Sequence, residues 1–159
     1  MRTALHVAAF HGHVEATRAL LEAGAEVDHA DNLGHTALDA AAWKGLAEAT
    51  RALLAAGAEV NHADNLGNTA LFVAAQDGHV EAIRTLLEAG AEVNYASNSG
   101  WTALHGAAHA GRLEAIRALV AAGADLNHAN NNGITPLAKA RANNQEAAAL
   151  ALVQAGATE

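Results

Sequence analysis

Two histidines four residues apart, His105 and His109 in the segment GWTALHGAAHAG, have the spacing in this sequence that most suggests chemistry. Side chains four positions apart share one face of an α-helix, so both imidazoles could bind one zinc ion. A catalytic zinc site needs three protein ligands, and a helical H-E-x-x-H site places a glutamate beside its first histidine. Here Gly106 follows His105. A metal-dependent enzyme acting through His105 and His109 is therefore a remote alternative.

Carboxylates also recur at a fixed distance from arginines. Paired carboxylates can divide acid and base roles when their environments differ. A glutamate three positions before an arginine instead supports an exposed helix through an ion pair. We expect such ion pairs, and no catalytic dyad, at Glu15 and Arg18, Glu48 and Arg51, Glu81 and Arg84, and Glu114 and Arg117.

The composition limits the classes of protein that this chain can belong to. It is 52% hydrophobic and has a single proline, which favours an all-α fold. Nine Lys and Arg against 17 Asp and Glu give a net charge of −8, which opposes binding to nucleic acid or an anionic membrane. There is no cysteine, no apolar run of membrane-spanning length and no signal-peptide pattern. We therefore expect a cytoplasmic protein without a cofactor.

The elements that position these residues repeat every 33 residues. The tetrapeptides TALH, TALD, TALF, TALH and TPLA begin at positions 3, 36, 69, 102 and 135. A period of this length predicts a solenoid, whose units bury their apolar faces by stacking on neighbours. We expect one domain over 1–159, with units one to five covering 1–30, 31–63, 64–96, 97–129 and 130–159.

Each unit has the signals of two helices and a loop. Thr36 is a good N-cap for a short first helix, which ends at Gly45, a residue that tolerates the left-handed conformation. A second helix such as 79–90 carries apolar residues on one face and ends at Gly90. The following segment AEVNYASNSG contains turn-forming residues and predicts a hairpin-like loop.

The 33-residue period, the T-(A/P)-L-H opening, G-H at 12–13 and 78–79, and L-L-x-x-G-A at 20–25 and 86–91 resemble the ankyrin repeat. The resemblance implies an all-α solenoid of stacked helix-turn-helix units joined by hairpin-like loops. It also implies a non-enzymatic protein–protein interaction module, with a concave surface of loop tips and first helices. An engineered or consensus-like scaffold, including a selected binder, is the alternative, because 31–63 and 64–96 align closely without gaps.

Positions that vary among the copies are candidates for contact with a partner. Trp43 and Trp101 are either exposed interface anchors or residues covered by neighbouring loops. Leu33 and Leu66 at the loop tips are either contacts with a partner or packed on each other. The predicted protein-binding residues are Phe10, His11, Leu33, His35, Trp43, Lys44, Leu66, Asn68, Gln76, Asp77, Ser99, Trp101 and His109.

The family resemblance assigns His6 and His105 to the framework of the repeat.

The two end units differ in the polarity of the faces that no further unit covers. Lys139, Arg141 and Glu146 predict a solvent-facing C-terminal cap, whereas unit one keeps apolar residues at the matching positions. We therefore expect a piece of a longer array or an engineered chain, monomeric unless unit one self-associates. The expected partner is another protein with a basic or apolar surface, because the chain is acidic.

Overall fold

The computed structural model describes residues 1–158, which form ten short α-helices in pairs. Glu159, the last residue assigned to unit five, lies outside the described residues. The helices are α1 (Ala4–Phe10), α2 (Val14–Glu22), α3 (Ala37–Trp43), α4 (Ala47–Ala55), α5 (Ala70–Asp77), α6 (Val80–Glu88), α7 (Ala103–His109), α8 (Leu113–Ala121), α9 (Pro136–Ala142) and α10 (Glu146–Ala155). Within 1–158 the only β-pairing is an isolated bridge between Ala63 and Thr69.

The first helix of every pair begins at the predicted threonine and ends at the predicted left-handed residue. Each N-cap threonine has an extended backbone, which leaves its side chain free to satisfy the first amides of the helix. The helices end before residues with positive φ, which are Gly12, Gly45, Gly78, Gly111 and Asn144. These helices are therefore seven or eight residues long and begin at the same position of each unit, as the 33-residue period predicts.

The second helices present an apolar face inward and an ion-paired face outward. In α6, Ile83 and Leu86 are fully buried, while Arg84 donates to Glu81 over 3.0 Å. The matching pairs are Glu15 with Arg18, Glu48 with Arg51 and Glu114 with Arg117. All are exposed, so they support the helices by only a few tenths of a kcal/mol.

The units stack in a single row. First helices pack on first helices, in the order α1, α3, α5, α7, α9, and second helices pack in the same order from α2 to α10. The contact surfaces are rich in alanine, and the small side chains allow the helices to approach closely. Fully buried alanines include Ala41, Ala42, Ala74, Ala75 and Ala107, and a row of leucines continues the core behind them.

Turns at the loop tips bind each loop to the next. The amide of Asp31 donates to the carbonyl of His35 over 2.8 Å, which closes the turn, and the amide of Asn65 donates to the carbonyl of Leu33 over 3.1 Å. Gly34 is needed here, because its φ is +85° and an added Cβ would lie 2.7 Å from the Asn65 nitrogen. The same turn recurs at each of the later loops, which keeps the loops in register along the row.

The C-terminal end of the stack is less polar than the sequence predicts. Arg141 and Glu146 are exposed, as expected for a polar C-terminal face. Leu150 and Val153 of α10 are exposed as well, at 58% and 44%. Val153 matches residues that the following unit half-covers elsewhere, which are Leu21, Leu54, Leu87 and Val120. The C-terminal face is therefore only partly polar.

In unit one, the helix face that packs on a preceding unit elsewhere in the stack is exposed. Ala4 and Ala16 are exposed, whereas their counterparts Ala37 and Ala49 are fully buried against the preceding unit. Val7 is exposed on the same helix as Ala4. In the part of the chain that the structure describes, no helix is long and apolar enough to cross a membrane.

Candidate protein-binding surface

Seven of the thirteen predicted binding residues meet in one place. A groove of about 410 Å³ crosses units one to three and collects Phe10, His11, His35, Trp43, Leu66, Asn68 and Gln76. We call it the N-terminal groove. The other predicted residues lie outside its lining; they are Leu33, Lys44, Asp77, Ser99, Trp101 and His109.

The walls of the N-terminal groove are largely apolar. They are formed by α1, α3 and α5 and by one loop tip, through Val7, Phe10, Trp43, Leu66, Phe72 and Val73. The rings of Phe10 and Trp43 meet at an angle of 62° with centroids 5.7 Å apart. Trp43 is 49% exposed and Leu66 is 69% exposed. Exposed aromatic and aliphatic side chains around a concavity are typical of a binding surface.

The lining of the groove varies between two units that are otherwise closely alike. Units two and three align without gaps over 31–63 and 64–96. Residues at four matching positions all line the groove and all differ: His35 and Asn68, Asp39 and Phe72, Ala40 and Val73, and Trp43 and Gln76. At a fifth matching position in the lining, Asp31 and Asp64 are identical. Seven of the 28 aligned positions outside these five also differ, so the variation is concentrated in the groove and not confined to it. Such a concentration is the pattern expected where a partner is recognised.

Carboxylates lie at the polar end of the groove, on the loops. Asp31 accepts hydrogen bonds from the amides of Leu33 (2.8 Å) and His35 (3.1 Å) and lies 3.6 Å from the Arg2 guanidinium. Burial alone would raise the pKa of Asp31, but these two amides, His35 and Arg2 together lower it below its usual value. Asp31 is therefore an acceptor that remains charged.

His35 lies between two carboxylates. Its Nδ1 is 3.8 Å from Asp31 Oδ2, and its Nε2 is 3.5 Å from Asp64 Oδ2. Asp64 repeats the loop geometry of Asp31, since it accepts the amides of Leu66 and Asn68, each over 2.8 Å. The imidazole thus links the loops of units two and three beside the groove.

Asp39, which also lines the groove, was not among the residues predicted from the sequence. It is 5% exposed, and burial raises the pKa of its carboxyl group. Its Oδ2 accepts from the Thr36 amide (2.8 Å) and hydroxyl (2.9 Å), which caps α3. Within residues 1–158, Oδ1 has no hydrogen-bond donor. The sequence signal was the tetrapeptide TALD at 36–39, where units one and four have TALH.

Histidine at the position of Asp39 forms hydrogen bonds to the next unit as well as to its own helix cap. In His105, Nδ1 accepts from the Thr102 amide (3.2 Å) and lies 2.9 Å from its hydroxyl. Because Nδ1 accepts, the proton is on Nε2, which donates to the Ile134 carbonyl of the next unit over 2.9 Å. His6 makes the same contacts with Thr3 and the His35 carbonyl. These histidines join successive units, as the framework assignment predicts.

The same contacts bear on the zinc hypothesis. Both imidazole nitrogens of His105 are engaged in hydrogen bonds, so it could bind a metal only by breaking a contact between units. The hydroxyl of Thr102 beside it is buried, so the pair is a helix cap and not an accessible nucleophile with its base. Among residues 1–158, no three histidine, aspartate or glutamate side chains form a group that could hold a metal ion.

Trp101 is half-buried, which favours the second of the two alternatives that the sequence left open for it. Its ring meets the edge of His105 with centroids 5.2 Å apart, and the Lys139 ammonium lies 4.9 Å from its ring centroid. We call these three residues the Trp101 cluster. Lys139 comes from α9 of unit five, so it is the adjacent unit that covers Trp101. The two tryptophans, Trp43 at the end of α3 and Trp101 just before the N-cap of α7, therefore have different surroundings.

The stacked helix pairs, repeated in one row, define a helical repeat protein. The family model described as "Ankyrin repeats (3 copies)" matches residues 1–64, 54–130 and 96–158. The chain belongs to the ankyrin repeat family. Repeats of this family are generally protein–protein interaction modules and are typically non-enzymatic. A comparison with curated proteins gave no match.

Proposed function

We propose that this chain is a non-enzymatic module that binds another protein across its concave side, with the N-terminal groove at the centre of the interface. The observation that carries the proposal is the groove itself, which combines exposed aromatic walls, buried carboxylates and a lining that varies more between units two and three than their other positions do. A rigid stack presents this surface with little ordering cost on binding. The acidic loops favour a partner surface that is basic or apolar.

Trp43 is the expected anchor of this interface. It is exposed, rigid and amphipathic, and such residues dominate the binding energy of protein interfaces. Trp101, Leu33, Lys44, Asp77, Ser99 and His109 extend the proposed surface beyond the groove. We assign them to the periphery, where contacts exclude water and contribute less.

The experiment is affinity capture with the purified chain, followed by binding measurements on the purified captured protein. We expect Trp43→Ala to weaken that binding at least about tenfold, as for an interface hot spot. Leu150→Ala is the matched control, because it removes an equally exposed apolar side chain from α10, away from the groove. Equal affinity of wild type and Trp43→Ala, with loss in Leu150→Ala, would refute the proposed surface.

A second candidate is an engineered or consensus-like scaffold that binds a selected target. The near identity of 31–63 and 64–96 outside the groove favours it. Such a binder would use the same groove, so the Trp43→Ala comparison applies unchanged. Only the identity of the partner differs between the two candidates.

A further inference from the structure

We infer that the N-terminal groove receives a lysine side chain of the bound partner, with its ammonium at Asp39 and its aliphatic stem along the apolar walls. The inference deepens the proposed protein-binding function and rests on it. It names the chemical group that the groove recognises. Four observations support it: an oxygen of Asp39 without a donor, a loop carbonyl without the histidine donor present in units one and four, the charge of the lining, and a lysine already on the equivalent surface.

Asp39 supplies the anchor for a cation. Its carboxyl is almost fully buried, yet it lines the groove and its Oδ1 has no donor among residues 1–158. Oδ1 is not one of the fully buried atoms without a partner, so it is open to the groove, where an entering N–H group can donate to it. The carboxyl also holds α3 through Thr36, so it is fixed in place before a ligand arrives.

A second acceptor is left open by the same substitution. Histidine in units one and four donates to the carbonyls of His35 and Ile134. The equivalent carbonyl after Asp39 belongs to Asn68, which lines the groove and accepts only the Asp64 amide at 2.9 Å. Aspartate is shorter than histidine and cannot donate when ionised. The exchange thus leaves space and two acceptors where an imidazole would otherwise lie.

The charge of the lining favours a cation over an anion or a neutral chain. Three carboxylates line the groove, Asp31, Asp39 and Asp64, against the single guanidinium of Arg2. A lysine ammonium fits better than an arginine guanidinium, because the planar fork prefers two free oxygens on one carboxylate. Each of these carboxylates has at least one oxygen already engaged by the chain, and on Asp39 only Oδ1 remains.

The molecule itself places a lysine on the equivalent surface of its C-terminal half. The Lys139 ammonium lies 4.9 Å from the Trp101 ring centroid. In units two and three the matching positions hold Ala40 and Val73, which leave the groove open to a side chain from outside. Lys44 already lies over the Phe10 ring, at 4.7 Å. An incoming ammonium therefore finds its free partner deeper in the groove, at Asp39.

The test uses three synthetic heptapeptide libraries, acetylated and amidated, with randomised flanks and a fixed central lysine, arginine or norleucine. Peptides that bind the purified chain and lose binding in Trp43→Ala are taken as groove ligands. We expect them to come from the lysine library. Replacing that lysine by norleucine, which keeps the stem and removes the charge, should weaken binding roughly tenfold or more.

Variants of the chain test the position of the ammonium. Asp39→Asn keeps the shape and removes the charge, so it should abolish the preference for lysine over norleucine. Asp39→His should fill the groove and lose lysine peptides while unfolding at a higher temperature than wild type, which separates loss of binding from loss of fold. Glu88→Gln is the control, because it removes one exposed negative charge at the end of α6, outside the groove lining, and should leave the lysine preference unchanged.

The outcomes distinguish this inference from the proposed function. Groove ligands drawn from the arginine or norleucine library, or a lysine preference that survives in Asp39→Asn, would overturn the lysine assignment and leave the protein-binding proposal standing. Recovery of no peptide that depends on Trp43 would overturn the lysine assignment and weaken the groove as the interface. Loss of the lysine preference in Glu88→Gln would reduce the effect to overall charge.

Discussion

The N-terminal groove and the Trp101 cluster occupy corresponding places on the same framework, yet one is open and the other is covered. In the groove, Asp39 makes its hydrogen bonds within its own unit and none to the next unit, and the small residue Ala40 lies beside it in the lining. In units four and five, His105 binds the next unit and Lys139 covers Trp101. The residues at the matching positions of Asp39 and His105, and of Ala40 and Lys139, therefore decide whether this surface is a cavity or a closed contact. The first-helix leucines beneath, Leu38 and Leu104, are the same and equally buried.

The largest expected effect tests whether the core is the same in both halves. Leu38→Ala and Leu104→Ala each remove a buried leucine from the first helix of a unit that has neighbours on both sides. We expect each to lower the free energy of unfolding by about 2–5 kcal/mol, because each leaves a cavity in the core. Urea denaturation measures both. A much smaller cost in one half would show that the halves differ in their framework and not only at the surface.

The exchange of histidine and aspartate tests the comparison itself. Asp39→His should raise the free energy of unfolding by about 0.5–1.5 kcal/mol, because Nε2 gains the Asn68 carbonyl. His105→Asp should lower it by about 1–3 kcal/mol, because the bond to Ile134 is lost and buried groups lose a partner. Chemical denaturation of the two variants beside wild type checks both signs. Destabilisation by Asp39→His would contradict the proposal that a histidine at this position joins its unit to the next one.

The smallest effect is a pH dependence that differs between the two sites. Burial lowers the pKa of His105, and His128 and Lys139 add to the shift, although the hydrogen bond to Ile134 opposes it. A depressed folded-state pKa means that the contribution of His105 to stability is complete above its unfolded pKa of about 6.5. That contribution is lost as the pH falls through the folded-state pKa.

We therefore expect the free energy of unfolding to fall below about pH 6.5, and His105→Gln to make the fall less steep. Both proteins are compared in an Asp39→Asn background. This removes a group of opposite sign, because the raised pKa of Asp39 makes its contribution larger as the pH falls. Denaturation curves at successive pH values provide the measurement. An equal slope with and without His105 would show that other groups control the fall.

The sequence predicts the framework well because its signals are local and repeated. The Thr36 cap, the turn at Gly45 and the Glu81–Arg84 pair each depend on residues a few positions apart, and the structure has all three. The 33-residue period then places every copy. The framework role of His6 and His105 is confirmed by their hydrogen bonds to the next unit.

The candidate site was only partly predictable because it depends on contacts between units. In the sequence, Asp39 is only the last residue of TALD. That one of its oxygens has no donor, and that it lines a groove, depends on how the units stack. The cover on Trp101 comes from Lys139, which is distant in sequence and meets it only in the stack. Exposure of Leu150 likewise follows from where α10 lies in the stack, not from a local pattern.

The most direct measurement is the amide hydrogen-exchange footprint of a captured partner on the chain. The account predicts protection that centres on α3, α5 and the loop between Asp64 and Asn68, with little change in α7 and α9 around the Trp101 cluster. Protection confined to α10 around Leu150 and Val153, with the groove unchanged, would contradict it.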